Sequence, residues 1–358
     1  MTAPAAFETE APVLLRVQGT LGRITLNRPR ALNALTHQMC RQIHASLREW
    51  AADDTVQAVL IDGAGQRGLC AGGDIRAIYE DAKSGGDASA AFWRDEYLLN
   101  SFIARYPKPY VALMDGVVMG GGVGVSAHGG VRIVTERSAV AMPETGIGFV
   151  PDVGGTHLLA SAPGELGTHL ALTGTRMTAR DALLCGFADH FVPSGRLPAL
   201  VADLAAGTGV GDAVARHAGS VPEGELAAHR SWIDAAYAAP TVEEILERLR
   251  AGDEAAAKAA ALIGERSPTA LKVTLRALRR ARGLGTLEAV LDQEYRVSLA
   301  ALTSPDLVEG IRAQIVDKDH APRWTPPTLA EVTDEAVERF FAPLGDRELG
   351  LATAGGRR

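Results

Sequence analysis

The chain contains 358 residues, of which 47% are hydrophobic and 22% are charged, and its formal net charge is −7. This length and composition are typical of a globular enzyme with one large α/β domain and an appendage, or with two domains. The acidic balance argues against nucleic acid or an anionic membrane surface as the main partner. The three cysteines (Cys40, Cys70 and Cys185) have no CxxC spacing, which excludes a disulfide framework and a thiolate metal site.

The N-terminal residues 1–12 are rich in Ala, Pro and Glu and lack the basic and apolar regions of a signal peptide. We therefore expect a disordered lead over these residues. No apolar run approaches the roughly 18 residues that a transmembrane helix needs. Together with the cysteine usage, these features predict a cytoplasmic protein without a membrane partner.

In chain order, the sequence first predicts alternating strands and helices. Strands are predicted at residues 13–17, 23–26, 58–62, 110–114, 131–135 and 139–141, and helices at residues 36–53, from 75 onward and at 88–105. The first two strands, separated by two glycines, indicate a hairpin. Glycine-rich loops are predicted at residues 63–73 and 116–122. Strand, loop and helix then follow one another three times, which indicates parallel βαβ units.

Helical patterns dominate after residue 174, apart from one short strand predicted near residues 190–192. An Ala/Gly-rich stretch near residues 206–221 precedes a mostly helical segment. Amphipathic helices are predicted there at residues 242–250, 254–263, 268–282 and 287–301. We therefore predict an α/β core over residues 13–205 and a helical C-terminal region over residues 206–358.

Two glycine-rich loops, Gly68-Leu-Cys-Ala-Gly-Gly-Asp74 and Met119-Gly-Gly-Gly-Val-Gly124, each lie between a strand and a helix, where free backbone N–H groups collect. Two such loops on adjacent strands could direct two N–H groups at one oxygen, as acyl chemistry requires. For the first loop alone, a tight turn without further function is the competing interpretation. Cys70 has no basic neighbour in the sequence, which favours a buried structural thiol over a nucleophile.

Two acids, Glu144 and Asp152, lie eight positions apart among apolar residues, glycines and prolines. Pro143 and Pro151 each precede one acid and stiffen the backbone there. This pattern predicts an acid/base pair in a dry pocket, and two close carboxyls should titrate as a coupled pair with one pKa raised. The competing interpretation is a pair of acids that cap helices.

Other chemistries are weakly supported. Gly122-Val-Gly124-Val-Ser-Ala127 fits a dinucleotide-binding pattern but lies in the middle of the predicted core. Ser126-Ala-His128 lacks the G-x-S-x-G context of a serine hydrolase, and we expect both side chains to pack in a helix. The sequence has neither a HExxH metal spacing nor a P-loop, so we predict no metal site. The basic run Arg276 to Arg282 is either a solvated helix face or a phosphate contact.

The two glycine loops, together with Pro143-Glu-x-x-x-Gly148-x-x-Pro151, resemble the crotonase (enoyl-CoA hydratase/isomerase) superfamily over about residues 13–205. Asn27-Arg-Pro29 with Asn33-Ala-Leu35 is similar to that family's N-terminal signature. The resemblance implies a ββα-spiral core and an acyl-CoA substrate, with no separate cofactor because CoA is part of the substrate. It leaves open whether the C-terminal helices form a homo-oligomer or fold back over their own core.

The resemblance also implies roles for single residues. The backbone N–H groups of Gly73 and Gly121 correspond to the oxyanion hole that holds the thioester oxygen. Glu144 matches one of the two catalytic glutamates of hydratases, but the other falls at Gly124, so half of the hydratase machinery is missing. Asp152 occupies a position that is commonly glycine in hydratases and acidic in hydrolases.

A narrower resemblance is to hydrolases of the superfamily. It is carried by residues 142–155, by Asp95-Glu-Tyr97 and by the C-terminal segment Glu309-Gly-Ile-Arg…Asp317-Lys-Asp319…Trp324. It implies that Glu96 contacts the substrate together with Gly121, Glu144 and Asp152. Arg76 lies where the family often has a basic residue near the CoA nucleotide.

The expected reaction is hydrolysis of a short branched 3-hydroxyacyl-CoA thioester, as in valine breakdown. Glu144 would be the attacking carboxylate or the base that activates water, and Asp152 would orient the water or the substrate hydroxyl. One alternative is a hydratase or isomerase on the same fold. Another, from a different class, is a non-catalytic acyl-CoA-binding protein, against which the retained pair of acids argues.

Overall fold

The computed structural model describes residues 11–355 of the chain. Its strands are β1 (Val13–Gln18), β2 (Leu21–Leu26), β3 (Ala58–Gly63), β4 (Gly68–Cys70), β5 (Tyr110–Met114), β6 (Val117–Met119), β7 (Val131–Val134), β8 (Ala139–Ala141) and β9 (His190–Phe191). Its α-helices are α1 (His37–Ala52), α2 (Ile75–Ser84), α3 (Ala88–Ala104), α4 (Gly121–Gly124), α5 (Gly155–Ser161), α6 (Leu166–Thr173), α7 (Ala179–Leu184), α8 (Leu197–Ala205), α9 (Val210–His217), α10 (Leu226–Tyr237), α11 (Val242–Arg250), α12 (Glu254–Gly264), α13 (Pro268–Leu284), α14 (Leu287–Leu302), α15 (Pro305–Ile311), α16 (Asp334–Arg339) and α17 (Leu351–Gly355).

The main sheet has the strand order β1-β2-β3-β5-β7-β9 within the described residues. β1 and β2 form the predicted antiparallel hairpin, with Val13 opposite Leu26, and the remaining pairs are parallel. Side chains alternate along β3, so that Val59 and Ile61 belong to the large core with α1 and α3. Leu60 packs on the other face with α8. The sheet is therefore covered on both faces, as parallel sheets require.

A second, smaller sheet consists of the parallel strands β4, β6 and β8. The sequence predicted loops at residues 63–73 and 116–122, and this is wrong for β4 and β6, which lie inside those loops. Each is three residues long, too short for a periodic pattern to be read. Because the carboxyl ends of parallel strands share one edge of a sheet, these strands bring the two glycine loops and the segment before Glu144 together.

The predicted C-terminal helices are confirmed as α11, α12, α13 and α14, each within two residues of its expected bounds. They share one hydrophobic core with the N-terminal part, since Leu271 and Leu291 cluster with Val59 and Leu99. The fold thus has the predicted α/β class with a helical C-terminal region. The boundary between residues 205 and 206 stays a prediction.

The predicted disordered lead, residues 1–12, falls outside the described residues except for its last two positions. There, Pro12 O accepts a hydrogen bond of 2.8 Å from the Asn27 backbone N–H. None of the helices described between residues 11 and 355 has the length and apolar character needed to cross a membrane.

Candidate active site

The two glycine loops and Glu144 meet at the carboxyl edge of the small sheet. A Cβ placed on Gly121 would lie 3.3 Å from the Gly73 backbone nitrogen and 2.7 Å from Glu96 Oε1. A Cβ placed on Gly120 would lie 2.9 Å from Glu144 Oε1. The structure therefore brings four of the predicted site residues, Gly73, Glu96, Gly121 and Glu144, within a few ångströms of one another.

Both predicted oxyanion-hole N–H groups are unused by the protein. In the part of the chain that the structure describes, neither the Gly73 nor the Gly121 N–H donates to a protein acceptor. The first loop is held by its neighbours instead, because the Leu35 N–H donates to Gly72 O at 2.9 Å and the Asp74 N–H donates to Leu35 O at 2.8 Å. Gly121 begins α4, whose first N–H groups have no partner within the helix. Two adjacent free donors are suited to a developing oxyanion.

These groups open into a cavity of about 480 Å³, within the usual size range of small-molecule sites. One wall carries the stacked rings of Trp93 and Phe149, whose centroids lie 5.5 Å apart. Another part of the wall comes from the C-terminal region and includes Ile311, Gln314 and Ile315. The cavity is thus apolar around a few polar groups, and the C-terminal part of the chain closes it.

Three carboxyl side chains line this cavity, and all are nearly inaccessible to solvent. The exposed fractions are 2% for Glu96, 7% for Glu144 and 5% for Asp152. Glu96 is therefore shielded from solvent, although it lies on a helix that also carries exposed residues. Among the described residues, Glu96 Oε1 and Glu144 Oε2 have no hydrogen-bond partner. Buried acceptors without protein partners are costly, so they mark positions where a ligand's donors fit.

Burial sets the protonation of these acids. It raises the pKa of Glu144 well above its ordinary value of 4.5, and the charge of Asp152 raises it further. The pKa of Glu96 is raised well above 4.5 by the same two causes. Burial also raises the pKa of Asp152, whereas a 2.8 Å hydrogen bond from the Tyr97 hydroxyl to Oδ2 acts in the opposite direction. Coupled carboxyls with raised pKa values are typical of acid/base sites.

The other candidate residues predicted from the sequence lie outside the cavity, or their polar groups are bonded to other groups of the protein. Arg76 is exposed, and its Nη2 donates to Ile315 O at 3.3 Å, so it joins α2 to the C-terminal wall. Cys70 is buried with a pKa raised by burial to about 12, as expected for a structural thiol. Ser126 Oγ donates to Gly122 O at 2.6 Å, and His128 Nε2 donates to Val153 O at 2.7 Å. Both residues follow α4 in turns, so their predicted place in a helix is wrong.

The basic run on α13 is engaged in ion pairs rather than forming a free solvated face, and the phosphate contact stays a prediction. Arg279 and Arg282 pair with Glu165, while Arg276 and Arg280 pair with Glu338. Across residues 11–355, no group of three or more His, Cys, Asp or Glu side chains is arranged to hold a metal ion.

The C-terminal motif of the narrower resemblance has a structural role. The Arg312 guanidinium pairs with Glu309, Asp317 and Asp319 at 2.7–2.8 Å. These ion pairs fix a π-helical turn, Arg312–Val316, whose Gln314 and Ile315 line the cavity. The sequence signal for this role was a group of acidic residues near one arginine. Their spacing alone does not show that the ion pairs support a wall of the site.

The comparison with known families decides the assignment. The chain matches the family described as Enoyl-CoA hydratase/isomerase over residues 21–341. The chain belongs to this family. The predicted crotonase resemblance is thereby confirmed, and it extends through the helical C-terminal region.

Curated relatives in this family are named 3-hydroxyisobutyryl-CoA hydrolase, mitochondrial. The chicken (Gallus gallus) protein is 43% identical over 355 residues, covering 96% of this chain and 92% of the relative. The rat (Rattus norvegicus) protein is 45% identical over 350 residues, covering 95% of this chain and 91% of the relative. The human protein is 43% identical over 351 residues, covering 94% of this chain and 90% of the relative. This agrees with the narrower resemblance to hydrolases.

Two solved structures in the same family carry other titles. A carnitinyl-CoA dehydratase from Mycobacterium thermoresistibile is 55% identical with a TM-score of 0.92, covering 94% of this chain and 98% of that chain. An enoyl-CoA hydratase from Rhodobacter sphaeroides is 46% identical with a TM-score of 0.90, covering 95% of this chain and 99% of that chain. The fold is thus shared over nearly the whole chain. The names of the curated relatives describe hydrolysis, whereas the titles of the two solved structures describe dehydration and hydration.

Proposed function

We propose that this protein hydrolyses 3-hydroxyisobutyryl-CoA to CoA and 3-hydroxyisobutyrate. The observation that carries the proposal is the placement of the second carboxyl. Hydratases of the family carry a glutamate where this chain has Gly124. A Cβ at that position would lie 2.7 Å from Val153 Cβ and 2.9 Å from Asn100 Nδ2, so the space for a side chain is filled. The second acid is instead Asp152, on the turn that follows Glu144.

The oxyanion hole supplies the larger part of the catalysis in this proposal. The thioester oxygen accepts hydrogen bonds from the Gly73 and Gly121 N–H groups, and removing one such donor typically costs about 3–4 kcal/mol of transition-state stabilisation. Attack on the carbonyl carbon forms a C–O bond and breaks the C–S bond. The CoA sulfur leaves as a thiolate and takes up the proton of the attacking water, which Glu144 or Asp152 accepts in its basic form and passes on.

Glu144 has two routes available. As a nucleophile, its carboxylate forms an acyl anhydride that water then hydrolyses, and as a base, it takes a proton from water that attacks directly. Turnover in H₂¹⁸O separates them. Attack of water on the glutamyl carbonyl of an anhydride places ¹⁸O in Glu144, which mass spectrometry of the peptide detects, whereas direct attack labels only the product.

Glu96 binds the acyl group in the proposed site. Its unpartnered Oε1 is suited to accept a hydrogen bond from a 3-hydroxyl group, because a buried acceptor gains from any donor that reaches it. The stacked rings of Trp93 and Phe149 offer an apolar surface to the branched carbon chain. This combination favours a short hydroxylated acyl group over a long saturated one.

One assay tests the function against its competitors. The enzyme is mixed with 3-hydroxyisobutyryl-CoA and, separately, with crotonyl-CoA, while free thiol and enoyl absorbance are followed. We expect thiol release from the first substrate and no enoyl change with the second. The titles of the two solved structures make hydration or dehydration the second candidate, which loss of enoyl absorbance without thiol release would support. Binding without either signal would support a non-catalytic acyl-CoA-binding protein.

The site assignment has its own test. Glu144→Gln and Asp152→Asn keep size and remove the charge, and we expect each to lower kcat by about 100-fold or more. Near-wild-type thiol release by either variant would contradict its role. Arg76→Ala tests the proposed nucleotide contact, with a raised KM and an unchanged kcat expected.

Three further properties belong to the proposal. No cofactor beyond the CoA of the substrate is required, so dialysis against a chelator should leave activity unchanged. A homo-oligomer is tested by light scattering of the purified chain. The cytoplasmic location lacks support from the named relatives, which are mitochondrial proteins, and cell fractionation tests it.

A further inference from the structure

The turn that carries Asp152 has an unfavourable backbone. Val153 has φ +54° and Gly154 has φ +78°, so two consecutive residues lie in the left-handed region. A β-branched residue rarely adopts this conformation, and it persists only where the surroundings impose it. The surroundings of this turn therefore determine where the Asp152 carboxyl points.

A buried glutamate from the C-terminal region binds this turn. Glu294, on α14, is 1% exposed. Its Oε2 accepts a hydrogen bond of 2.6 Å from the Gly154 N–H, and its Oε1 accepts bonds from the Thr156 N–H at 2.9 Å and hydroxyl at 2.5 Å. On the other side, His128 Nε2 donates to Val153 O at 2.7 Å. The turn is thus held through both its N–H and its C=O groups.

The same helix also reaches the Asp152 side chain. Ser298 lies four residues after Glu294, and therefore on the same face of α14. Its Oγ is 2.7 Å from the Tyr97 hydroxyl, which donates to Asp152 Oδ2 at 2.8 Å. Burial raises the pKa of Tyr97, so the phenol keeps its proton and remains a donor. This contact ties one carboxyl oxygen of Asp152 to Tyr97, which does not line the cavity, whereas Asp152 does.

We propose that Tyr97, Ser298 and Glu294 are positioning residues that fix the Asp152 carboxyl for proton transfer in thioester hydrolysis, an inference that rests on the proposed function. Tyr97 and Ser298 act on the side chain, and Glu294 acts on the backbone. No sequence motif pointed to Ser298 or Glu294. The C-terminal helices thereby contribute to the chemistry as well as to the wall of the site.

The charged environment of Asp152 allows a specific test. The titratable groups that face it are Glu96 and Tyr97 from α3, Glu144 from its own loop and Glu294 from α14. The charge of Asp152 raises the pKa of each of these four groups, whereas the hydrogen bond from the Tyr97 hydroxyl lowers the pKa of Asp152. Removing this hydroxyl should raise the pKa of Asp152 and move the acid limb of the kcat/KM profile to higher pH, by about one to two units.

Tyr97→Phe is the central variant, and Tyr295→Phe is its matched control. Tyr295 lies on α14 with its ring 6.2 Å from that of Tyr97, but its hydroxyl donates to Ala90 O and does not contact Asp152. For Tyr97→Phe, we expect kcat for 3-hydroxyisobutyryl-CoA to fall about 100-fold with KM nearly unchanged, together with the shift of the acid limb. For Tyr295→Phe, we expect neither change.

The backbone contact has its own pair of variants. Glu294→Gln is compared with Asp292→Asn, because Asp292 also accepts two backbone N–H groups, from Leu351 and Ala352 of α17, and does not line the cavity. We expect only Glu294→Gln to lower kcat. If Glu294→Gln fails to fold, Ser298→Ala supplies the second measurement, with a smaller loss of kcat and a shift of the acid limb in the same direction as for Tyr97→Phe.

The outcomes separate two failures. If the wild-type protein releases thiol and Tyr97→Phe keeps its kcat and pH profile, the positioning proposal is overturned and the proposed function stands. A pH profile that moves equally in Tyr97→Phe and Tyr295→Phe would also overturn it. If the wild-type protein releases no thiol from 3-hydroxyisobutyryl-CoA, the proposed function is overturned, and the positioning proposal falls with it.

Discussion

Gly124→Ala is the sharpest test of the idea that this chain has no room for a second hydratase-type carboxyl. The added Cβ would lie 2.7 Å from Val153 Cβ and 2.9 Å from Asn100 Nδ2. Real Cβ contacts are not this short, so α4 or the turn at Val153 must move. Overpacking of this kind costs about 1–3 kcal/mol of the free energy of unfolding.

This cost converts into a melting temperature. The entropy of unfolding is about 2.1 cal/mol/K per residue, which for 358 residues gives about 0.75 kcal/mol/K. The melting temperature should therefore fall by about 1–4 °C. Because Val153 directly follows Asp152, we also expect kcat for thioester hydrolysis to fall by about 10- to 100-fold.

Differential scanning fluorimetry and thiol release measure the two effects. Gly130→Ala is the control, since Gly130 is exposed and a Cβ there has no neighbour within 4 Å. We expect the control to match the wild-type protein in both assays. If Gly124→Ala also matched the wild type, position 124 would have room for a side chain. The argument against hydration would then lose its structural basis. Gly124→Glu should likewise show no hydration of crotonyl-CoA.

Three further predictions concern the carboxyls and the oxyanion hole. Gly121→Ala should lower kcat about 100-fold because its Cβ would lie 2.7 Å from Glu96 Oε1, whereas Gly73→Ala, whose Cβ meets only the edge of an aromatic ring at 3.3 Å, should stay within a few-fold of wild type. The acid limb of the kcat/KM profile should lie well above pH 4.5, because burial raises the pKa of Glu144 and Asp152 and both lose their basic form as pH falls. A limb near pH 4 would contradict this. Since the folded state holds more protons on these acids than the unfolded state does, the free energy of unfolding should fall as pH rises through this window. Glu144→Gln should therefore melt higher than wild type at pH 8 and equally near pH 4.

Much of the site could be predicted from the sequence because its chemistry is local. Gly73, Gly121 and Glu144 each lie within three residues of the end of a short parallel strand. The glycine loops can be recognised from their residue types even where the strands are too short to predict. The resemblance also supplied Glu96, which lies on a helix and has no local signal of its own. Its burial follows from packing of α3 against the glycine loops, which no periodicity in α3 reveals.

The contacts of α14 could not be predicted in the same way. Glu294 and Ser298 lie more than 130 residues after the turn they hold, and in the sequence they belong to an ordinary amphipathic helix. From the sequence alone, a glutamate on such a helix is expected to be solvent-exposed, because its partners in the fold are not known. The donors of Gly154 and Thr156 follow a turn in which Val153 and Gly154 have left-handed backbone angles, and a valine in the sequence does not indicate such a turn.

Gly124 and Val153 compete for one volume, so the two positions should be coupled energetically. Val153→Gly removes the Cβ that a side chain at position 124 would strike, and glycine also relieves the left-handed φ of +54°. In a double-mutant cycle, Gly124→Ala should therefore cost less free energy of unfolding in the Val153→Gly background than in the wild type, with a coupling of about 1 kcal/mol. The same background is the one in which Gly124→Glu should fold best. Additive effects, measured by denaturant titration, would show that the two residues do not exclude each other, and the absence of a glutamate at position 124 would need another cause.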